Sequence, residues 1–318
     1  MKTQITDWLF LYNTIQQVLD KDLKIKLRIF YFSLEMSKEQ KMLAAFSNIL
    51  YIKEGIRIAP KDLRSTKATK VLSEETIHII QKYKPYFDKI EEIVELIDDI
   101  RNPTGIYKFV REYAWANGTQ HKKTVEFTNN KTGEKFKQDI DDWYEPNDPD
   151  EYVMVIIDHI SLISPETKDG KRMGLHASIV DLSSNYLIKL RNKYNYIPVV
   201  IQQQASSQES IENLKANRLK PTLDGLGDCK LTQRDADVIL GLFSPFRHEI
   251  PLYQGYDVKH FKDNIRFLEI IGGREGGAGT ICPLYFDGAV NYFKELPKPE
   301  NTQEIQKVYD FLGKIRVQ

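Results

Sequence analysis

Residues 153–163 read VMVIIDHISLI. An unbroken apolar run rich in β-branched residues is the pattern of a strand covered on both faces, as in a parallel sheet between layers of helices. The run ends in Asp158. Open α/β sheets bind ligands beyond the carboxyl ends of their strands, so this carboxylate stands where it can hold Mg2+ through water. A plain turn cap accounts for an isolated strand-terminal Asp equally well. Working outward, residues 25–33 (IKLRIFYFS) form a second apolar run and lead into Glu35. Glu35 can polarise a water for attack on a phosphate, or it can complement the dipole of the helix that Ser37 opens. A third strand, expected over residues 198–203, ends in VVIQQQASS and places the amides of Gln202, Gln203 and Gln204 at the same edge. Three polar strand ends at one sheet edge are a stronger signal together than any one alone.

The remaining elements follow from periodicity and punctuation. Ile5, Leu9, Tyr12, Ile15, Val18 and Leu19 recur at helical spacing, which predicts an amphipathic helix over residues 3–19. Ser37 with Gln40 forms a capping box ahead of a second helix. Helices are expected over 73–86, from Pro103 to about Ala116, and over 175–194, with a strand in EEIVELID. Further strands are expected over 237–243, 266–272 and 280–286. Between residues 117 and 150 the chain changes character: TVEF and EKFKQDI alternate around Asn129-Asn130-Lys131-Thr132-Gly133, the signature of an inserted β-hairpin, followed by an acidic loop. Such an acidic run can bind a metal, but a solvated linker is the commoner case. Strands alternating with helices predict an α/β fold with a mostly parallel sheet flanked by helices.

Composition narrows the function. The 318 residues carry 45 Lys+Arg and 45 Asp+Glu, which argues against a generally cationic polymer binder, so any nucleic-acid contact is local. Two cysteines, Cys229 and Cys282, give neither a disulfide framework nor zinc-ligand spacing, and a reducing cytoplasm is expected. No apolar run approaches the roughly 20 residues a membrane helix needs. The one glycine-rich stretch, GGREGGAG at 272–279, does not read as a phosphate loop, because another strand follows it rather than a helix. A hairpin exposing Arg274 is expected there. No complete G-x-x-x-x-G-K-[ST] occurs, yet Met1-Lys2-Thr3 runs straight into the first helix, as the last residues of such a loop do.

In order, FYFSLEMSKEQ (30–40), VMVIIDHISLI (153–163), IPVVIQQQASSQES (197–210), LKPTLDGLGDCKLTQRDADVIL (219–240) and FLEIIGGREGGAGTICPLYFDG (267–288) resemble the successive motifs of the carboxyl-terminal, RecA-like motor domain of DnaB-type hexameric replicative helicases. The style is similar to phage-encoded members. SLEM and Asp235-Ala236-Asp237 are the most specific blocks, and the match spans nearly the whole chain as a single motor domain. The resemblance implies ATP and Mg2+ as cofactors, single-stranded DNA as partner, a hexameric ring, and a primase or helicase loader as further partners. Residue by residue, Lys2 and Thr3 become the end of a Walker A loop that the chain's start truncates, with Thr3 on Mg2+. Glu35 becomes the catalytic base, Asp158 the Walker B carboxylate, Gln204 the γ-phosphate sensor and Arg274 the finger acting in trans. The sequence departs from the family at Gly272, where a lysine is usual two positions before the finger, at His159, where a tyrosine is usual, and at Ser207, where an arginine is common. DNA contact is expected from the loops after Asp158 and Gln204, the latter holding Lys215, Arg218 and Lys220. Other readings stay open: another RecA-like ATPase such as a strand-exchange recombinase, or a nucleotide-independent structural relative lacking a working P-loop.

Overall fold

The computed structural model describes residues 2–21, 23–66, 71–168, 171–216 and 219–317. The first half alternates helices with β1 (Lys26–Ser33), β2 (Val94–Ile97), a long hairpin of β3 (Gly118–Thr128) and β4 (Lys135–Pro146), β5 (Glu151–Asp158), a two-residue ribbon of β6 (Thr167–Lys168) and β7 (Lys171–Arg172), and β8 (Ile197–Val200). Strands β2, β1, β5 and β8 lie in that order, all parallel. Every carboxyl end in this sheet therefore faces the same edge.

Strand alternation divides the core in two. Phe30 and Phe32 of β1, with Val153, Val155 and Ile157 of β5, face helices over 103–116 and 175–194. Ile29 and Tyr31, with Met154 and Ile156, face helices over 2–20, 38–54 and 84–93. A strand flanked by helices on both faces has no solvent side, which is why its sequence shows no polar alternation. The Ser37–Gln40 capping box forms as expected, and Gly55 closes that helix in the left-handed conformation. The helix expected over 73–86 is instead two, Glu74–Lys82 and Lys84–Ile93, because Pro85 cannot continue the first and instead starts the second. The second absorbs the first part of EEIVELID, so only Val94–Ile97 is extended.

The second half holds β9 (Val238–Phe243), a ribbon of β10 (Leu252–Tyr253) and β11 (Tyr256–Asp257), β12 (Ile265–Gly273), β13 (Ile281–Asp287) and β14 (Tyr292–Glu295). Here the parallel expectation does not carry over: β14, β13, β12 and β9 form an antiparallel sheet. The connections from β12 to β13 and from β13 to β14 are tight turns, too short for the crossover that parallel neighbours require. The first is the glycine-rich stretch, where Gly276, Gly277 and Gly279 have positive φ. It is a hairpin turn, as the sequence indicated. Helix 2–20 also packs on this sheet, placing Ile5, Trp8 and Leu9 against Leu284, Phe286 and Phe293.

Candidate functional site

Register fixes what meets at the carboxyl edge of the parallel sheet. Tyr31 lies opposite Ile156 and Ser33 opposite Asp158, so Tyr31 and Asp158 share the face covered by helices 2–20 and 38–54. The Leu34 amide donates to the Asp158 carbonyl at 2.6 Å, and the chain then bends outward to present Glu35 to solvent. Glu35 and Asp158 thus end neighbouring strands at one edge, as the sequence pattern requires.

Asp158 is fully buried. Thr3, in the first turn of helix 2–20, donates its hydroxyl to Asp158 Oδ1 at 2.9 Å. Tyr31 Oη lies 3.0 Å from Asp158 Oδ2 and 2.6 Å from Asp7 Oδ1. Lys41 Nζ reaches Asp158 Oδ2 at 2.9 Å, both Asp7 oxygens at 3.1 Å and Tyr31 Oη at 2.5 Å. An ammonium has three protons, and here each finds a partner residue. Two carboxylates and one ammonium are enclosed together, so the cluster has more acid than base, and burial pushes the Asp7 carboxyl above its usual range against the pull of Lys41. Burial and the neighbouring carboxylates hold Tyr31 well above the ordinary phenol range, so it stays a hydrogen-bond donor.

Sequence reasoning misses Asp7, Tyr31 and Lys41, although a signal for two of them exists. Asp7 precedes Leu11 and Ile15 by four and eight residues, and Lys41 precedes Ala45 and Ile49 likewise. Each sits on its helix's apolar stripe, where an unexplained charge needs a partner.

The three glutamines after β8 do different things. Gln202 donates to the carbonyls of Gly227 and of Cys229, the latter at 2.8 Å, and accepts from Thr232 Oγ1 at 2.7 Å. Gln203 is exposed and its amide lies 3.2 Å from His159 Nε2. Gln204 donates to the Thr222 carbonyl at 3.2 Å and bridges Leu226. A Cβ on Gly225 would collide with Gln204 Oε1, so that glycine is what lets the side chain pack there. Gln203, not Gln204, is the one brought to the Asp158–His159 turn.

The Asp-Ala-Asp block is a junction. Asp235 accepts from Ser183 at 3.0 Å and Ser184 at 2.5 Å, tying it to helix 175–194. Asp237 pairs with Arg191 at 2.8 Å and with Arg274 at 3.3 Å. Arg274 is exposed on the β12–β13 turn, with a second bond to the Arg234 carbonyl at 2.8 Å. Lys215 is exposed, Lys220 pairs with Glu269 at 3.1 Å, and Met1 and Arg218 lie outside the described residues. The acidic run expected as a loop is mostly strand: Asp141 and Asp142 lie within β4 and pair with Lys193 and Lys123, while Asp148 follows the strand and pairs with Lys26. Among the described residues no three His, Cys, Asp or Glu side chains cluster to hold a metal, and no helix is long and apolar enough to cross a membrane. Thr3 and Asp158 still fit Mg2+, a hard cation that keeps waters and phosphate oxygens as most of its ligands.

No family model matches the sequence and no curated protein matches it. Solved structures do. A DnaB-like replicative helicase, described with its interactions with primase, superposes with a TM-score of 0.58 at 16% identity, covering 86% of this chain and 52% of that one. A second solved structure, an ATPase domain, superposes with a TM-score of 0.54 at 18% identity, covering 89% of this chain and 79% of that one. This chain therefore spans about half the length of the first and most of the second. Its α/β architecture is a RecA-like fold, shared with these two structures.

Proposed function

We propose that this chain is an ATP-hydrolysing motor of the DnaB-like kind, which moves along single-stranded DNA and separates duplex as part of a ring, with ATP between subunits. The observation that carries the reading is the Thr3–Asp158 hydrogen bond of 2.9 Å at a sheet edge that also presents Glu35. Helix 2–20 directs its amino-terminal end to that edge, where helix N–H groups favour phosphate. Lys2 would meet the β- and γ-phosphates, and Thr3 with Asp158 would hold Mg2+. When bound, that ion supplies neutralisation of phosphate charge. Glu35 orients the attacking water and accepts its proton. Gln203, through His159, reports the state of Asp158 to the loop that Gln202 and Gln204 fasten. Arg274, held at the junction by Asp237, serves a neighbouring subunit's nucleotide. Lys215, Arg218 and Lys220 contribute to a local single-strand contact, and a primase or loader is the expected partner of the ring.

Glu35→Gln tests the chemistry. Turnover should fall about 100-fold or more, while nucleotide affinity stays within about twofold, because only a proton acceptor is lost. Turnover that survives the substitution overturns the role of Glu35.

A further inference from the structure

The chemistry proposed above uses Asp158 but leaves Lys41 unexplained. A lysine 2% exposed is expensive to bury, and one touching a metal-ligand carboxylate is a stronger anomaly, since both cations want the same charge. The two oxygens of Asp158 are not equivalent. Oδ2 accepts from Lys41 at 2.9 Å and lies 3.0 Å from Tyr31 Oη, whose single proton it shares with the nearer Asp7 Oδ1. Among the described residues Oδ1 accepts from Thr3, and its second acceptor position is open beside the hydroxyl.

We propose that Lys41 is a positioning residue for Asp158: it clamps Oδ2, turns Oδ1 toward Thr3 as the oxygen that meets the cation, and sets divalent-cation affinity by partly offsetting the carboxylate's charge. The proposal rests on reading Asp158 as the metal ligand. Lys41 is itself pinned by Asp7 from helix 2–20 and by Tyr31 from β1, so the clamp links three elements packed around the site. The fixed ammonium also makes the enclosed carboxylates tolerable before any cation arrives. In ordinary metal sites a neutral or anionic outer partner raises ligand basicity. A cationic one acts in the opposite direction and makes cation binding weaker and more readily reversed.

The experiment titrates the full chain with Mn2+ alone and follows loss of the free Mn2+ electron paramagnetic resonance signal. Lys41→Gln by itself would leave two buried carboxylates facing each other, so the paired variant Asp7→Asn/Lys41→Gln is used, which removes one charge of each sign. Lys41 touches Asp158 directly and Asp7 reaches it only through shared partners, so the pair leaves Asp158 with a more negative local field. Mn2+ should bind roughly tenfold tighter to the pair than to the unaltered chain, and Asp158→Asn should abolish that binding. Tyr31→Phe, which keeps all charges and removes the hydroxyl that Asp7 and Asp158 share, is an independent arm and should leave Mn2+ affinity within about twofold of the unaltered chain. Unchanged affinity in the folded paired variant, with Asp158→Asn still defective, overturns the role of Lys41 and keeps the metal site. Equal binding by the unaltered chain and Asp158→Asn overturns both readings.

Discussion

The run Gln202-Gln203-Gln204 shows how much a single position decides. All three carry the same amide, yet pairing of β8 with β5, and of the following residues with Leu226, sends one into the loop's backbone, one to His159 and one under Gly225. Gln203 is exposed and bonds only weakly in geometry, so Gln203→Ala should change stability by less than about 0.5 kcal/mol. If it is the sensor, it should still lower ATP turnover by about 100-fold, as loss of a positioned donor does. Gln204→Ala removes the donor to a backbone carbonyl and leaves space beside Gly225. It should cost about 1 kcal/mol and lower turnover only in proportion to the folded fraction. Urea unfolding and steady-state ATP hydrolysis on the two variants separate the roles. The reverse pattern returns the sensor role to Gln204, where the motif resemblance places it.

At the scale of elements, the β3–β4 hairpin is the clearest test of what belongs to the core. Its base is anchored: Tyr144 donates to the Ala114 carbonyl at 2.9 Å and packs edge-on against Tyr194. Its distal part stacks exposed Phe127 on Phe136 and pairs Lys135 with Glu126, contacts internal to the ribbon. Joining Thr124 to Asp139, which face each other, through an Asn-Gly turn should keep the fold, with a stability change within about 1 kcal/mol. A larger loss in a thermal melt would mean that the distal ribbon supports the core. This hairpin was legible in sequence because its signals are local: alternation, then a turn sequence with Gly133 at positive φ. So were the Ser37 cap and the helix after Pro103. The Asp7–Lys41–Asp158 cluster was not, since its members are 34 and 117 residues apart and only the packed sheet brings them together. The antiparallel β12–β13 pair was legible from its glycine-rich turn, but the pairing of β9 with β12 was not. A buried strand is apolar throughout whichever way it runs, and a long connection does not reveal its direction.

The whole molecule depends on how its two sheets are joined, because the site lies on an element that touches both. Helix 2–20 buries Leu11, Tyr12 and Ile15 against the parallel sheet and Ile5 against the antiparallel one, so the position of Thr3 is set by both halves. Helix 38–54, which carries Lys41, makes a second joint. Its fully buried Asn48 donates to the carbonyls of Val290 and Asn291 at 3.1 and 2.9 Å, in the turn between β13 and β14. Just beyond that helix Arg57 grips Asp287 through two bonds of 2.7 and 3.1 Å. Asn48→Ala strips the donor from two backbone carbonyls, and should cost about 1–3 kcal/mol. If the halves form one cooperative unit, the urea midpoint falls while a single transition keeps its slope, because the surface exposed on unfolding is unchanged. A split transition in the variant alone would mean that Asn48 is what makes the halves unfold together. A split already present in the unaltered chain would mean that Thr3 and Asp158 meet across two independently stable units, and that ATP-site geometry responds to motion of one sheet against the other.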